Sequence, residues 1–251
     1  MAMASPVAGT RGRSRRRGPE PVSLPSPNFG PRRDGARPEL IVIHYTAMAS
    51  AAEARARLCD PAAEVSAHWL IAEDGACEAL VAEEARAWHA GAGAWAGRGD
   101  VNSRSIGIEL ANPGDRPFPE PQMAALEALL RAIMARWGIG PEGVIAHSDM
   151  APERKSDPGP RFDWARLARQ GLALWPEPGA APGPEIAPDR AAFAALANAF
   201  GYPEAPFEAL LAAVRLRFRP RAAGPLDGRD MAIIAELAAA HGADGGPWRA
   251  C

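Results

Sequence analysis

ELIVIHYT, residues 39–46, decides the fold of this chain. Leu40 to Ile43 is continuously apolar, a run of strand length, and its lack of polar alternation predicts a strand covered on both faces. Such strands belong to sheets with helices layered on them. His44 stands at the carboxyl end of the run.

The neighbouring segments extend the same pattern. SIGIEL, residues 105–110, alternates, so Ile106, Ile108 and Leu110 face one side of a strand while Ser105, Gly107 and Glu109 face the other. GVIAH, residues 143–147, reads as a further short strand with His147 at its end. HWLIAEDGACEALV, residues 68–81, holds two apolar runs around Asp74-Gly75, a dipeptide suited to a hairpin turn. Met123, Leu126, Leu130, Ile133 and Trp137 recur at steps of three and four, which predicts a helix over 121–137 closed by Gly138. Strands alternating with helices give the α/β class, a mixed central sheet flanked by helices. In such sheets sites gather at the carboxyl ends of strands, where both histidines stand.

Beyond this unit the composition shifts. The stretch WPEPGAAPGPEIAPDR, residues 175–190, is broken by proline and glycine, and residues 179–188 are expected to form a linker between a domain over 26–178 and a smaller one over 189–251. The smaller domain shows three helical stripes. Phe193, Leu196 and Phe200 lie between Asp189 as N-cap and Gly201 as stop; Phe207, Leu210, Leu211, Val214 and Phe218 form the second stripe; Ile233, Ile234 and Leu237 form a third helix following Asp230. Residues 1–25, rich in Arg, Pro, Gly and Ser, are expected to be a disordered basic tail.

At 251 residues and 47% hydrophobic content, the chain can bury a core in both units. A formal charge of -2 gives no reason to expect nucleic acid or an anionic membrane as partner, and the arginines of the tail supply only unspecific electrostatics. No window approaches the ~18 consecutive apolar residues of a membrane span. The cluster from Arg11 to Arg17 is followed by Gly, Pro and Ser where an export signal needs an apolar core. Cys59, Cys77 and Cys251 are odd in number and far apart, which fits a reducing compartment. The expectation is cytoplasmic, with a periplasmic or outer-membrane-associated setting as the alternative if translation starts elsewhere.

Histidine occurs at positions 44, 68, 89, 147 and 241, and a metal site needs two or three of these joined by a carboxylate or thiolate. His-Glu-x-x-His, Cys-x-x-Cys, Gly-x-Ser-x-Gly and phosphate-loop patterns are all absent. The stretch HSDMAPERKSDPGPRFDW, residues 147–164, places His147, Lys155 and Asp157 in one irregular segment stiffened by Pro152, Pro158 and Pro160. A loop leaving a strand end can bring an imidazole and a carboxylate onto one ion with a lysine beside them. The same residues also make an ordinary salt-bridged surface turn.

IVIHYTA, VSAHWLIAEDG, ARAWHAG, NSRSIGIEL, VIAHSDMAPERKSDPGPRFDW and GLALWP, taken in this order over about residues 26–178, resemble the type 2 N-acetylmuramoyl-L-alanine amidases. These are zinc hydrolases of bacterial peptidoglycan, and they include anhydro-muropeptide amidases and share their fold with peptidoglycan recognition proteins. FAALANAFGYP, VRLRFRP and PLDGRDMAIIAEL resemble the helical peptidoglycan-binding domain found in one branch. The resemblance implies hydrolysis of the amide between N-acetylmuramic acid, or its 1,6-anhydro form, and L-alanine. It implies one zinc ion per chain on His44, His147 and Asp157, with a fourth position left for water. It makes Glu109 the proton carrier and Lys155 the oxyanion stabiliser. Tyr45, His68, His89 and Asn102 are candidates for substrate contact. Peptidoglycan or muropeptide fragments are the implied partners, and the chain is expected to act as a monomer. Two departures bear on substrate preference: Ala111 stands where many relatives carry a second glutamate, and Asp100 where an arginine is common. The rival reading is a non-catalytic recognition module, but such binders typically lack the third ligand, and this chain has all three.

Overall fold

The structure, a computed structural model, describes residues 25–176 and 187–242. Nearly all of the basic tail, most of the linker and Cys251 lie outside the described residues. In chain order the elements are β1 (Phe29–Gly30), β2 (Leu40–Tyr45), α1 (Ala51–Leu58), β3 (Trp69–Ile71), β4 (Cys77–Ala79), β5 (Arg86–Ala87), α2 (Val101–Arg104), β6 (Ser105–Leu110), α3 (Glu120–Trp137), β7 (Val144–Ala146), α4 (His147–Met150), α5 (Trp164–Ala168), α6 (Arg190–Phe200), α7 (Phe207–Phe218) and α8 (Gly228–His241).

The main sheet has the order β4-β3-β6-β2-β7. Strands β3, β6, β2 and β7 run parallel, and β4 joins antiparallel through the hairpin expected at Asp74-Gly75. Gly75 takes φ +88°, and a Cβ there would meet the Pro121 carbonyl oxygen at 2.7 Å, so the turn sits tight against the start of α3. Strands β1 and β5 form a separate two-stranded ribbon.

Both faces of the sheet are covered, as the apolar run of β2 requires. On one face Ile41, Ile43, Ile106, Ile108, Val144 and Ala146 pack with Met123, Leu126, Leu130 and Ile133 of α3. On the other, Leu40, Val42 and Ile145 join a cluster with Phe193, Phe200, Leu210, Val214, Phe218, Ile234 and Leu237 from the C-terminal helices. Trp175 packs against both clusters where the chain passes from one layer to the other.

Three boundaries differ from the sequence expectation. Helix α3 begins one residue earlier, at Glu120. Helix α8 begins at Gly228 with Asp227 as its cap, so Asp230 lies within the first turn and is 1% exposed. Strand β7 stops at Ala146, because the Asp149 carboxylate accepts the Ala146 N–H at 2.8 Å and turns the chain into α4 with His147 as its first residue.

Candidate metal centre

Strand register brings the site together. In the parallel pair β2–β6, His44 lies opposite Glu109, and in β2–β7 Ile43 lies opposite Ala146, which puts His147 beside His44. The side chains of His44 and Glu109 share the sheet face opposite α3, at the carboxyl ends of the strands. The third group arrives on a loop. Ser148 N–H donates to the Asp157 carbonyl at 3.1 Å and Lys155 N–H to the Ala151 carbonyl at 3.0 Å, folding residues 151–157 back over α4.

Three ligand atoms converge. His44 Nδ1 lies 2.8 Å from His147 Nδ1 and 2.9 Å from Asp157 Oδ2, and His147 Nδ1 lies 3.0 Å from that same oxygen. The far ring nitrogens fix the tautomers. Ser105 donates its hydroxyl proton to the Val101 carbonyl, so its oxygen accepts His89 Nε2–H at 3.1 Å. His89 Nδ1 then accepts His44 Nε2–H at 3.0 Å, which leaves a lone pair on His44 Nδ1. His147 donates Nε2–H to the Ala90 carbonyl at 2.9 Å, which leaves its Nδ1 in the same state. Two nitrogen lone pairs and a carboxylate oxygen, all buried, therefore face one another with no hydrogen to share. A divalent cation that accepts nitrogen and oxygen donors satisfies this set, and zinc fits it.

The electrostatics agree. Burial, followed by the neighbouring His147, lowers the His44 pKa to about 4 and keeps the ring neutral, the form that binds metal. Glu109 is different. Burial first, and then the charge of Asp157, raise it to about 8 against the opposing pull of Lys155. Its Oε2 is enclosed and has no hydrogen-bond partner among the described residues. A carboxyl held this way is tuned for proton transfer near neutral pH.

His44, His147, Asp157, Glu109 and Lys155 line one cavity of about 390 Å³, whose wall also includes Tyr45, Trp88, His89 and Arg154. The other sequence candidates divide. Tyr45 and His89 border the cavity, and His89 also backs His44 as described. His68 is fully buried and not part of the wall; its Nδ1 accepts the Gly107 N–H at 2.9 Å, and burial lowers its pKa to about 3. Asn102 stands behind the wall, its Oδ1 accepting the N–H groups of His89 at 3.0 Å and Ala90 at 2.8 Å. Asp100 pairs with Arg86 at 2.9 Å and Ala111 is fully buried; neither borders the cavity.

Some contributors were not singled out from sequence. Gly107 makes room for His89, since a Cβ there would lie 2.4 Å from the imidazole ring. That glycine inside an alternating strand was the available signal. Ser105 sets the tautomer of His89, and Arg154 donates to the carbonyls of Ala90 and Ala92 at the rim. No local pattern marks either residue.

Residues 34–160 match the family described as N-acetylmuramoyl-L-alanine amidase. The chain is similar to the N-acetylmuramoyl-L-alanine amidase AmiD of Escherichia coli (strain K12), 36% identical over 237 residues, 83% of this chain and 85% of that protein. It is also similar to the 1,6-anhydro-N-acetylmuramyl-L-alanine amidase AmpD of Citrobacter freundii, 35% identical over 57% of this chain and 86% of that protein. The solved complex of E. coli AmiD with anhydro-N-acetylmuramic acid-L-Ala-D-γ-Glu-L-Lys superposes with a TM-score of 0.76 at 36% identity, covering 84% of this chain and 93% of that one. AmpDH3 from Pseudomonas aeruginosa gives 0.74 at 30% identity, covering 94% and 99%.

Proposed function

The chain belongs to the N-acetylmuramoyl-L-alanine amidase family, and from that premise we propose that it hydrolyses the amide joining N-acetylmuramic acid, or its 1,6-anhydro form, to L-alanine of the peptidoglycan stem peptide, using one zinc ion on His44, His147 and Asp157. The observation that carries this reading is the convergence of three buried acceptor atoms within 3.0 Å of one another, with the unpaired carboxyl of Glu109 on the neighbouring strand.

Bound zinc supplies a Lewis acid for the scissile carbonyl and lowers the pKa of water towards neutrality. Glu109 removes the proton of the attacking water and returns it to the departing amine of L-alanine. The Lys155 ammonium, on the same cavity wall, donates hydrogen bonds to the oxyanion that develops on the former carbonyl oxygen. Ser105 and His89 hold His44 in its ligating tautomer. Residues 26–178 carry this chemistry, and the unit over 189–251 adds the C-terminal helices.

Muropeptides are the proposed partners, with the chain acting as a monomer. Among the described residues no helix is long and apolar enough to cross a membrane. The cytoplasmic reading rests on the N-terminal segment, outside the described residues. The rival reading, recognition without hydrolysis, predicts binding with no new chain ends. Incubation with intact sacculi and, separately, with soluble anhydro-muropeptides distinguishes the two through freshly released L-alanine amino termini. Release is expected from at least one substrate, abolished by chelation, restored by zinc and lost in His44→Ala, His147→Ala and Asp157→Ala. Binding with no release from either substrate would leave the recognition reading standing.

A further inference from the structure

The C-terminal helices meet the amidase layer through a buried polar knot as well as apolar contact. Arg217 of α7 is 1% exposed and Asp149 of α4 is fully buried. Arg217 Nη1 donates to Asp149 Oδ2, and its Nη2 donates to the Val144 carbonyl at 3.0 Å, at the start of β7. The guanidinium lies over the rings of Trp164, 4.5 Å away, and Phe218, 5.0 Å away. Tyr202, after α6, donates its hydroxyl to Asp149 Oδ1 at 2.7 Å. Asp149 Oδ2 also accepts the Ala146 N–H, the bond that ends β7 and starts the turn presenting His147.

We propose that Arg217 and Tyr202 are positioning residues for the metal centre, so that the C-terminal helical unit holds the His147-bearing turn in its ligating geometry through Asp149. The proposal rests on the zinc reading above. The geometry favours it over simple adhesion between layers. Adhesion is already supplied by the apolar cluster shared by Leu40, Val42 and Ile145 with the helices, and a desolvated ion pair adds little to that. A fixed geometry is what a buried, multiply bonded carboxylate supplies: Asp149 has Arg217 and Tyr202 on one side and the backbone next to a ligand on the other. The Gly201 carbonyl, which accepts the Ala96 N–H at 2.8 Å, anchors a second point of the same unit near the loop whose Ala90 carbonyl holds His147 Nε2.

The test measures zinc affinity of the metal-free, full-length protein by competition with a chromophoric chelator, far below the unfolding temperature. Arg217→Met and Tyr202→Phe remove the two holds on Asp149. Ile234→Val trims the same helical layer without touching the knot, since Ile234 is fully buried in the apolar cluster. A loss of roughly 10-fold in zinc affinity is expected for Arg217→Met and a few-fold loss for Tyr202→Phe, in line with the effect of groups that orient metal ligands. Ile234→Val should lower the melting temperature and leave zinc affinity within about twofold of wild type. The proposal is overturned if each of the two knot variants that folds binds zinc within about twofold of wild type, or if Ile234→Val loses as much as they do. If wild type itself takes up no zinc, the metal-centre reading and this inference fall together; if wild type binds and the variants match it, only this inference falls.

Discussion

Glu109 and His44 are neighbours only because parallel pairing puts residues 65 positions apart into register. Each could be seen in the sequence at the end of a strand, but spacing alone did not bring them together; the family resemblance did. Their roles are separable. Glu109→Gln keeps the shape of the side chain and removes the proposed base, so kcat should fall by about 10²–10⁴ with zinc content unchanged, as checked by turnover and metal analysis in parallel. Loss of metal in that variant would make Glu109 a ligand or a structural prop. His68 illustrates the opposite limit. In the sequence it reads equally as a groove residue or as a structural histidine beside Trp69; in the structure its Nδ1 accepts the N–H of Gly107 on the adjacent strand, which no local pattern reveals. Its consequence is acid sensitivity. Burial depresses its pKa to about 3, so below the unfolded value of about 6.5 the unfolded chain binds a proton that the folded chain refuses. The stability present above pH 6.5 therefore drains as pH falls towards 3, by about 1.4 kcal/mol per pH unit for this residue. Asn can still accept from Gly107, so His68→Asn should flatten the loss in urea titrations between pH 6.5 and 4.5 by about that slope. An unchanged slope would mean that the ring takes its proton while folded.

Elements were legible where apolar period and cap agreed. Asp189 accepts the Ala192 N–H at 3.0 Å and Gly201 closes α6, both as read from the sequence. Helix α8 was harder because LDGRD offers two aspartates at plausible cap positions. The choice is made by tertiary partners. Asp230 accepts from Arg215 of α7 and from Arg219 just after it, which draws it inside the helix, and Asp227 takes the cap, accepting the N–H groups of Arg229 and Asp230 at 2.9 Å. Asp227→Ala is expected to cost about 1 kcal/mol from the lost cap, read as a shift in the denaturation midpoint at constant slope. Asp230→Ala should cost more, because it strands the buried Arg215 guanidinium. An equal cost for the two would contradict the cap assignment. The same competition explains β7: GVIAH has strand composition to its last residue, but the Asp149 carboxylate two residues further on diverts the chain at His147.

At the scale of the molecule, the continuous apolar run of β2 announced a sheet covered twice and left open what the second cover is. Composition divided the chain at the proline-rich stretch into two units, and the helices after it share a core with Leu40, Val42 and Ile145. Contacts between distant apolar stripes leave no trace in the period of either stripe. A chain ended at residue 178 should therefore expose that face, bind a hydrophobic dye such as ANS and lose solubility relative to full length. A soluble, dye-silent product would show that the helices are dispensable to the sheet. The sequence order of this cover also imposes a schedule on biosynthesis. The three residues proposed as zinc ligands emerge from the ribosome before the last helices do, so on that proposal a nascent chain carries the means to capture an ion while one side of its sheet is still unroofed. Slow translation of the final segment lengthens that interval, and a chaperone that shields Leu40, Val42 and Ile145 until α6 to α8 dock would act on this chain at a late and well-defined moment.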